Sequence, residues 1–589
     1  MSTFTMAVQG GRDSWWRADL KSKEYDVFGD AYDDTTYKKL EKAWAKDMNT
    51  SPYLDWVKKL SESGWIHLRP LTDFMFVGAT PQRWGDLDPD QGPDKEKELT
   101  SGDEITRRKN ERERRFEKTN VCVLDYTPNE VKKESFTSAR DLKTSLDERI
   151  TDEVEFRLYV VEDLSRDVIE ALGQKYKIEP DFFRAHIMDF AWYNVRDRWR
   201  NPPLLDIVSR HQNWMQLRYV TARYFDANEK NSGKEKSSFT EAAEEAASFN
   251  IFRRVDDDLS NKSYWDKAGA IVGLARSRAT FWLQPSSPRQ STAVGILLLD
   301  PTVTKGVPLW RGRRTLWSTP EYGQTPPSGP PQQDNLFDHF VFWAQQANLY
   351  PNCTTDHYSK AHVPMQVLLH FVCSEWLTMS DYIKARLNQL DWEIVKPEFF
   401  GRGKKGVNDM LEKLHMWRRL VPLYREMVSE TIRHVDQFSG RIQVPMTSCR
   451  STDDGQHMLI NHYKLDLVHV KSQLEEYQNR IDQITSVVTA VISIDNSRRG
   501  LQNNRNIGRL TWLATFFIPL SLVAGILSMQ SNVSDIDRNT FVVYFATSLP
   551  LGIVIAVAAL TLSLSRSLTR HLVKLKGAVW KLWPHQKSH

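Results

Sequence analysis

The sequence predicts an α/β domain, then a long stalk helix, then a two-helix membrane hairpin. Three observations predict it. Short β-branched runs over residues 121–299 give way to helical spacing after residue 335. A heptad seam follows at Leu467, Val470, Leu474, Tyr477, Ile481, Ile484, Val488 and Val491. Near the end stand two apolar runs, 510–529 and 541–564, each about the 20 residues that span roughly 30 Å of hydrocarbon.

The strand runs come first. Residues 121–124 and 157–163 read as strands. A helix is predicted over 165–175, with Ser165 as N-cap and Asp167 in its first turn, and Pro180 opens another over 181–186. The charges of Glu162, Asp163 and Asp167 read as capping and solvated groups rather than metal ligands. Further strands are predicted over 215–225, 268–274, 279–283 and 293–299. The inserts at 228–248 (Lys, Glu, Ser and Ala) and 306–334 (Pro and Gly) read as loops. Asp256, Asp257 and Asp258 have the oxygen chemistry for a divalent cation, but such a triplet reads first as solvated surface.

Helical spacing over 337–347, 365–390 and 407–438 precedes the seam. Arg418, Arg419 and Arg425 read as salt-bridged surface or interface groups. The seam continues into Arg509 and the first apolar run, so one helix over about 456–529 is predicted as a stalk. The resulting organisation is a polar extension of unread role (1–118), an α/β domain (119–454), a stalk (455–509), a first span (510–529), a loop (530–540), a second span (541–564) and a basic tail (565–589).

Topology follows from charge. Arg498, Arg499, Arg505 and Arg509 precede the first span, and Arg566, Arg570, Lys574, Lys576 and Lys581 follow the second. Positive charge stays cytosolic, which places both termini inside and the loop outside. The plasma membrane is the expected location. The Asn532–Ser534 sequon lies too close to the membrane to be used. The basic tail reads as a contact for anionic lipid, with a ring of charge at the cytosolic membrane face as the alternative.

Composition excludes other classes. With mean hydropathy of −0.51 and 26% charged residues, most of the 589-residue chain belongs in water. A net charge of +4 implies no polyanion partner, and the basic run 107–115, broken by Glu111 and Glu113, reads as a solvated helix face rather than a nucleic-acid patch. Four scattered cysteines, without Cys-x-x-Cys spacing, fit a reducing compartment. The N-terminus reads as neither a secretory signal nor a mitochondrial presequence. No HExxH, GxSxG or Walker A motif is present, so an enzyme is not predicted.

Within the first span Thr511, Ile518, Ser521, Gly525 and Ser528 recur at helical spacing, a stripe that can line a pore or pack against another helix. Pro519 removes one helix hydrogen bond and predicts a local bend. The whole stretch LTWLATFFIPLSLVAGILSMQ resembles the first transmembrane helix of the CorA-type divalent-cation channels, in their fungal branch. Ala514, Thr515, Pro519, Leu520, Ser521 and Gly525 fall where that pattern has them. Ser528, Met529 and Gln530 stand where the family has Gly-Met-Asn. The block RLYVVEDLSRDVIEALGQKYKIEPDFFRAHI is similar to the strand–helix–helix unit of the family's cytosolic domain, and LHMWRRLVPLYREMVSE to its helices beside the stalk.

The resemblance implies a CorA-like fold, a homopentamer in the lipid bilayer, and divalent cations, Mg2+ first, passing down their electrochemical gradient without a cofactor. It implies a pore lined by Asn504, Ile507, Leu510, Ile518, Ser521, Gly525 and Gln530. Gln530 would meet the hydrated cation at the mouth, its longer side chain shifting or weakening selectivity. Asp535 and Asp537 on the loop would attract cations or simply keep it wet. The altered signature leaves open a second reading, a transport-inactive membrane-anchored protein whose cytosolic domain binds a partner.

Overall fold

The computed structural model describes residues 51–78, 110–188, 205–226, 270–285, 292–309, 335–346, 361–395, 404–442, 454–528 and 541–555, with shorter pieces between 241 and 267, at 321–323, 538–539 and 557. The chain forms two compact units, divided between Gln483 and Ile484.

The first unit is built on one mixed sheet of eight strands: β1 (Lys118–Tyr126), β2 (Val131–Ser138), β3 (Phe156–Glu162), β4 (Trp214–Phe225), β5 (Val255–Asp258), β6 (Ile271–Leu283), β7 (Ala293–Leu299) and β8 (Val307–Pro308). They lie in the order β2-β1-β3-β7-β6-β4-β8, with β5 on β6. Among the described strands only β3 and β7 run parallel. The central strands β3 and β7 are buried on both faces, as near-continuous apolar runs require. The runs at 268–274 and 279–283, expected as two strands, are one 13-residue strand, β6. Its middle is Ala275, Arg276, Ser277 and Arg278. That polar stretch hides the strand from a hydropathy reading, yet all twelve residues of β4 pair along its length.

One face of the sheet carries α1 (Pro52–Glu62), α2 (Arg69–Val77), α3 (Ala139–Asp147), α4 (Arg166–Tyr176) and α5 (Pro180–Ile187). Leu54, Val57 and Phe74 from α1 and α2 share one core with Ile169, Phe182, Tyr159 and Ile296. Residues 52–77 therefore belong to the same core as the strands. Their packing also accounts for Gly173, where a Cβ would stand 2.8 Å from the Tyr53 ring. Ser165 precedes α4 as expected, but its hydroxyl makes no capping bond and is buried without a partner.

The basic run expected as a solvated face is partly interior. Residues 110–117 are helical, and Arg112 and Arg115 are buried. Arg112 donates to the Phe76 carbonyl and stacks over the Phe76 and Phe116 rings. Part of the 228–248 insert is ordered too. Ala242 and Ala246 are buried, and Glu245 accepts from the Thr304 amide and hydroxyl.

The other face is covered by helices. After the short α6 (Asp206–Ser209) come α7 (Leu336–Ala344), α8 (His362–Val395) and α9 (Lys404–Ile442). Tyr126 donates to the Ala344 carbonyl at 3.0 Å. Trp376 of α8 donates to the Arg218 carbonyl at 3.0 Å, and Thr431 of α9 accepts from the Arg218 amide at 3.2 Å. Edge and face of β4 are thereby tied to both helices.

The last helix, α10 (Asp454–Leu527), is 74 residues long. The seam residues Leu467, Val470, Leu474, Tyr477 and Ile481 are buried, and so are Ile484 and Val488. Against α8, Ser380 donates to Gln473 at 2.7 Å and Arg480 pairs with Asp391. The seam up to Ile481 therefore packs within the chain. Val491, expected to continue it, is 44% exposed. In the second unit α10 continues through residue 519, and residues 541–555 form a second helix.

Candidate functional site

The final turns of α10 show how an apolar helix behaves when its own chain offers no cover. Ile507, Leu510, Leu513, Phe517, Ile518, Leu522 and Ile526 are all more than half exposed. The second helix repeats this at Phe541, Val542, Phe545, Ile553 and Val554. A helix apolar on every side is buried in something, whether lipid or other copies of the chain. Tyr544 donates to the Leu520 carbonyl at 3.4 Å, which joins the two helices, and Ser548 and Gly552 are buried.

The pore-side residues expected from the resemblance fall as follows. Asn504, Ile507, Leu510, Ile518, Ser521 and Gly525 lie on α10 and are exposed. Around Gly525 a Cβ would meet nothing within 4 Å, so the close approach that glycine permits is not used within one chain. The Ser521 hydroxyl donates to the Phe517 carbonyl at 2.9 Å, and Thr511 does the same to Ile507 at 2.8 Å. This spends the hydroxyl hydrogen on the helix and leaves the oxygen lone pairs facing outward. Gln530, Asp535 and Asp537 lie outside the described residues, as do the sequon and the basic tail.

Among the described residues no helix is long and apolar enough to cross a membrane. The side chains at 512, 515, 516, 519 and 527, and all residues past 557, fall outside that set. In the sequence the run from Leu510 to Met529 holds no charged residue.

The buried acids Asp256 and Asp258 of the first unit are occupied by the protein's own cations. Asp256 and Asp258, expected on a solvated surface, are buried at 4% and 2% exposure. Asp256 pairs with Arg419 of α9 at 2.8 Å and lies 3.8 Å from Arg276. Asp258 accepts from the Tyr382 hydroxyl at 2.5 Å and from Arg386 at 2.8 Å, both on α8. Burial and the Asp258 charge hold the Tyr382 phenol well above its ordinary range. The set continues through Gln389 to Glu393, which Lys413 of α9 meets at 3.2 Å. This set joins β5 to both covering helices, and its arginines stand where a cation would. The Arg419 pairing agrees with the salt-bridged role expected for it. Among the described residues no group of three or more His, Cys, Asp or Glu is arranged to hold a metal ion.

A second buried set lies at the end of β7. Asp300 accepts from Arg253 through both oxygens at 2.7 Å and from the Arg278 amide at 2.7 Å. His186 is fully buried 3.5 Å from Asp300, with Nδ1 on Thr280 at 3.0 Å. Burial, then Arg253 and Arg278, push its proton affinity well down.

Arg253 and Asp300 of this set line a cleft at the carboxyl end of the parallel pair. After β3 the chain turns to α4 on one face, and after β7 it reaches α7 on the other. Open α/β sheets form their crevices at such a divergence. β6 and β4 overhang it, with Gly273, Ala275 and Ser277 as a floor of small side chains. Sequence reasoning missed this cleft, since its walls come from six separate segments.

A family model, the CorA-like Mg2+ transporter protein, matches residues 359–566. No curated protein matches the chain. Among solved structures, the complete structure of the CorA magnesium transporter from Methanocaldococcus jannaschii aligns over 74% of this chain and 96% of its own, at 9% identity and a TM-score of 0.36. From just before α8 through the second apolar run, over residues 359–566, the chain is similar to the CorA-like Mg2+ transporter family.

Proposed function

We propose that this protein assembles with copies of itself in a lipid bilayer and passes divalent cations, Mg2+ first, down their electrochemical gradient. The observation that carries the reading is the family match over 359–566, which includes both apolar helices. The exposed apolar residues of those helices support it, because a single chain leaves them uncovered. Two helices cannot enclose a pore, so the working unit is an oligomer with α10 innermost. A homopentamer is the assembly the resemblance implies.

In this reading Asn504, Ile507, Leu510, Ile518, Ser521, Gly525 and Gln530 line the path. Leu510 and Ile507 form apolar rings that gate by dewetting. Ser521 presents an oxygen whose proton is already bonded to the helix. Gln530 offers an amide oxygen to a hydrated ion at the mouth. A potential of about 100 mV contributes roughly 4.6 kcal/mol for a divalent ion, enough to drive entry without ATP.

The test is Mg2+ uptake into vesicles holding the purified protein, under an inside-negative potential. Uptake in the parent that vanishes in Gly525→Trp, with the oligomer intact, supports the channel. Absence of flux for Mg2+ and for other divalent ions from a folded oligomer overturns it and leaves the membrane-anchored binding module.

A further inference from the structure

β3 ends at Glu162, and a second acid, Asp163, follows it at the bend where the chain leaves the strand. Asp163 has φ of 51°, in the left-handed region that aspartate enters more readily than most residues other than glycine. Asp163 accepts from the Asn250 and Ile251 amides at 3.0 Å each and from Lys118 Nζ at 2.5 Å. Glu162, on the α7 face, accepts from Asn120 Nδ2 at 2.7 Å, from the Asn335 side chain and from the Thr302 amide. Asn335 in turn caps α7 through the Phe337 amide at 2.9 Å, and Thr302 accepts from the Leu336 amide at 3.4 Å.

The two acids therefore grip two separate segments. Phe249 and Ile251 of the one, and Thr302 and Leu336 of the other, are walls of the same cleft. Charge does not balance at this point. Among the described residues, the charged groups facing the pair are the two acids themselves, adjacent in the chain, and Lys118 of β1, which is bonded to Asp163. The groups that reach Glu162 from β1, from the segment after β7 and from α7 are uncharged amides.

We propose that the Glu162–Asp163 pair is a proton-sensitive clasp on this cleft, closed when Glu162 holds a proton and loosened when it is ionised. Loss of water and the Asp163 charge push the Glu162 carboxyl up to about 7, against its three donors. In an opened clasp Glu162 is solvated and returns to the ordinary carboxylate range. A group that binds protons more tightly in the closed state closes it on protonation, and the effect is lost as pH rises through the closed-state value. Between pH 6 and pH 8 the closed form should lose about tenfold of its weight.

Hydrogen exchange on the full chain in detergent micelles tests this, with protection corrected for the intrinsic pH dependence of exchange. Peptides covering 248–251 and 300–303, and the first turn of α7, should lose about tenfold in protection from pH 6 to pH 8. Glu162→Gln should abolish that dependence and hold the protection at its low-pH level throughout. Asp163→Asn removes the repelling charge and should move the midpoint to lower pH, whatever it does to overall protection. Flat protection in the parent, or an unchanged fall in Glu162→Gln, overturns the clasp.

Discussion

Asp258 shows how a single carboxylate changes meaning once its neighbours are known. In sequence it is one of three adjacent aspartates. In the fold it is buried between Tyr382 and Arg386. Breaking a buried pair by removing one charge leaves the other uncompensated, at about 3–5 kcal/mol. Asp258→Asn should therefore lower the stability of the first unit by that amount in urea unfolding. An unchanged midpoint would show Arg386 to be adequately solvated without it. Gly295 is the packing counterpart. A Cβ there would stand 2.7 Å from the Phe156 ring. Gly295→Ala should cost about 1–3 kcal/mol by overpacking in the same assay. His186 gives a pH dependence of opposite sense to that of Glu162. Held neutral by burial and two guanidinium groups, it stabilises the fold above the ordinary histidine range. That stability is lost as pH falls, because the unfolded chain takes up a proton that the folded one refuses. His186→Gln should flatten the acid limb of a Tm-against-pH curve. A limb unchanged in this variant would assign the loss to other groups.

At the scale of elements the seam of α10 is the clearest case. Its spacing was legible because a heptad demands apolar residues at fixed intervals whatever it packs against. Which partner it packs against was not, and for Leu467 to Ile481 that partner lies within the same unit, with Ser380 and Asp391 of α8 beside it. Leu474→Ala should cost about 2–5 kcal/mol as a buried truncation. Val491→Ala, at an exposed position of the same repeat, should stay within about 0.5 kcal/mol in the isolated chain. Equal losses at both positions would mean that the seam is covered along its whole length. β6 is the opposite case. Its central Arg276, Ser277 and Arg278 broke the apolar pattern, and β4 restores the strand through a full ladder. Long-range pairing of that kind leaves no mark in a local window.

For the whole molecule, the uncovered apolar helices of the second unit and the buried ion pairs of the first make different demands on the surroundings. The helices need an apolar environment. Leu510→Arg, placing a charge in the uncharged run, should therefore reduce recovery in the membrane fraction and abolish Mg2+ uptake. Wild-type recovery and flux would remove this stretch from the bilayer. The first unit should be indifferent to chelators, since the acids most like ligands, Asp256 and Asp258, are held by Arg419 and Arg386. A melting temperature of that unit that rises with Mg2+ would point to a cation site elsewhere.

Periodicity and length were enough for the sequence alone to determine the α/β character, the strands at 121–124, 157–163 and 293–299, the long α10 and the two apolar runs. These are local properties, and hydrophobic spacing records them directly. The resemblance at residues 510–530 added the family. The fate of each charge was decided only by tertiary structure. Whether Asp256 or Arg112 meets water, an arginine, a ring or a carbonyl depends on segments tens to hundreds of residues away. The free energy of a charge is set by those neighbours rather than by its place in the chain.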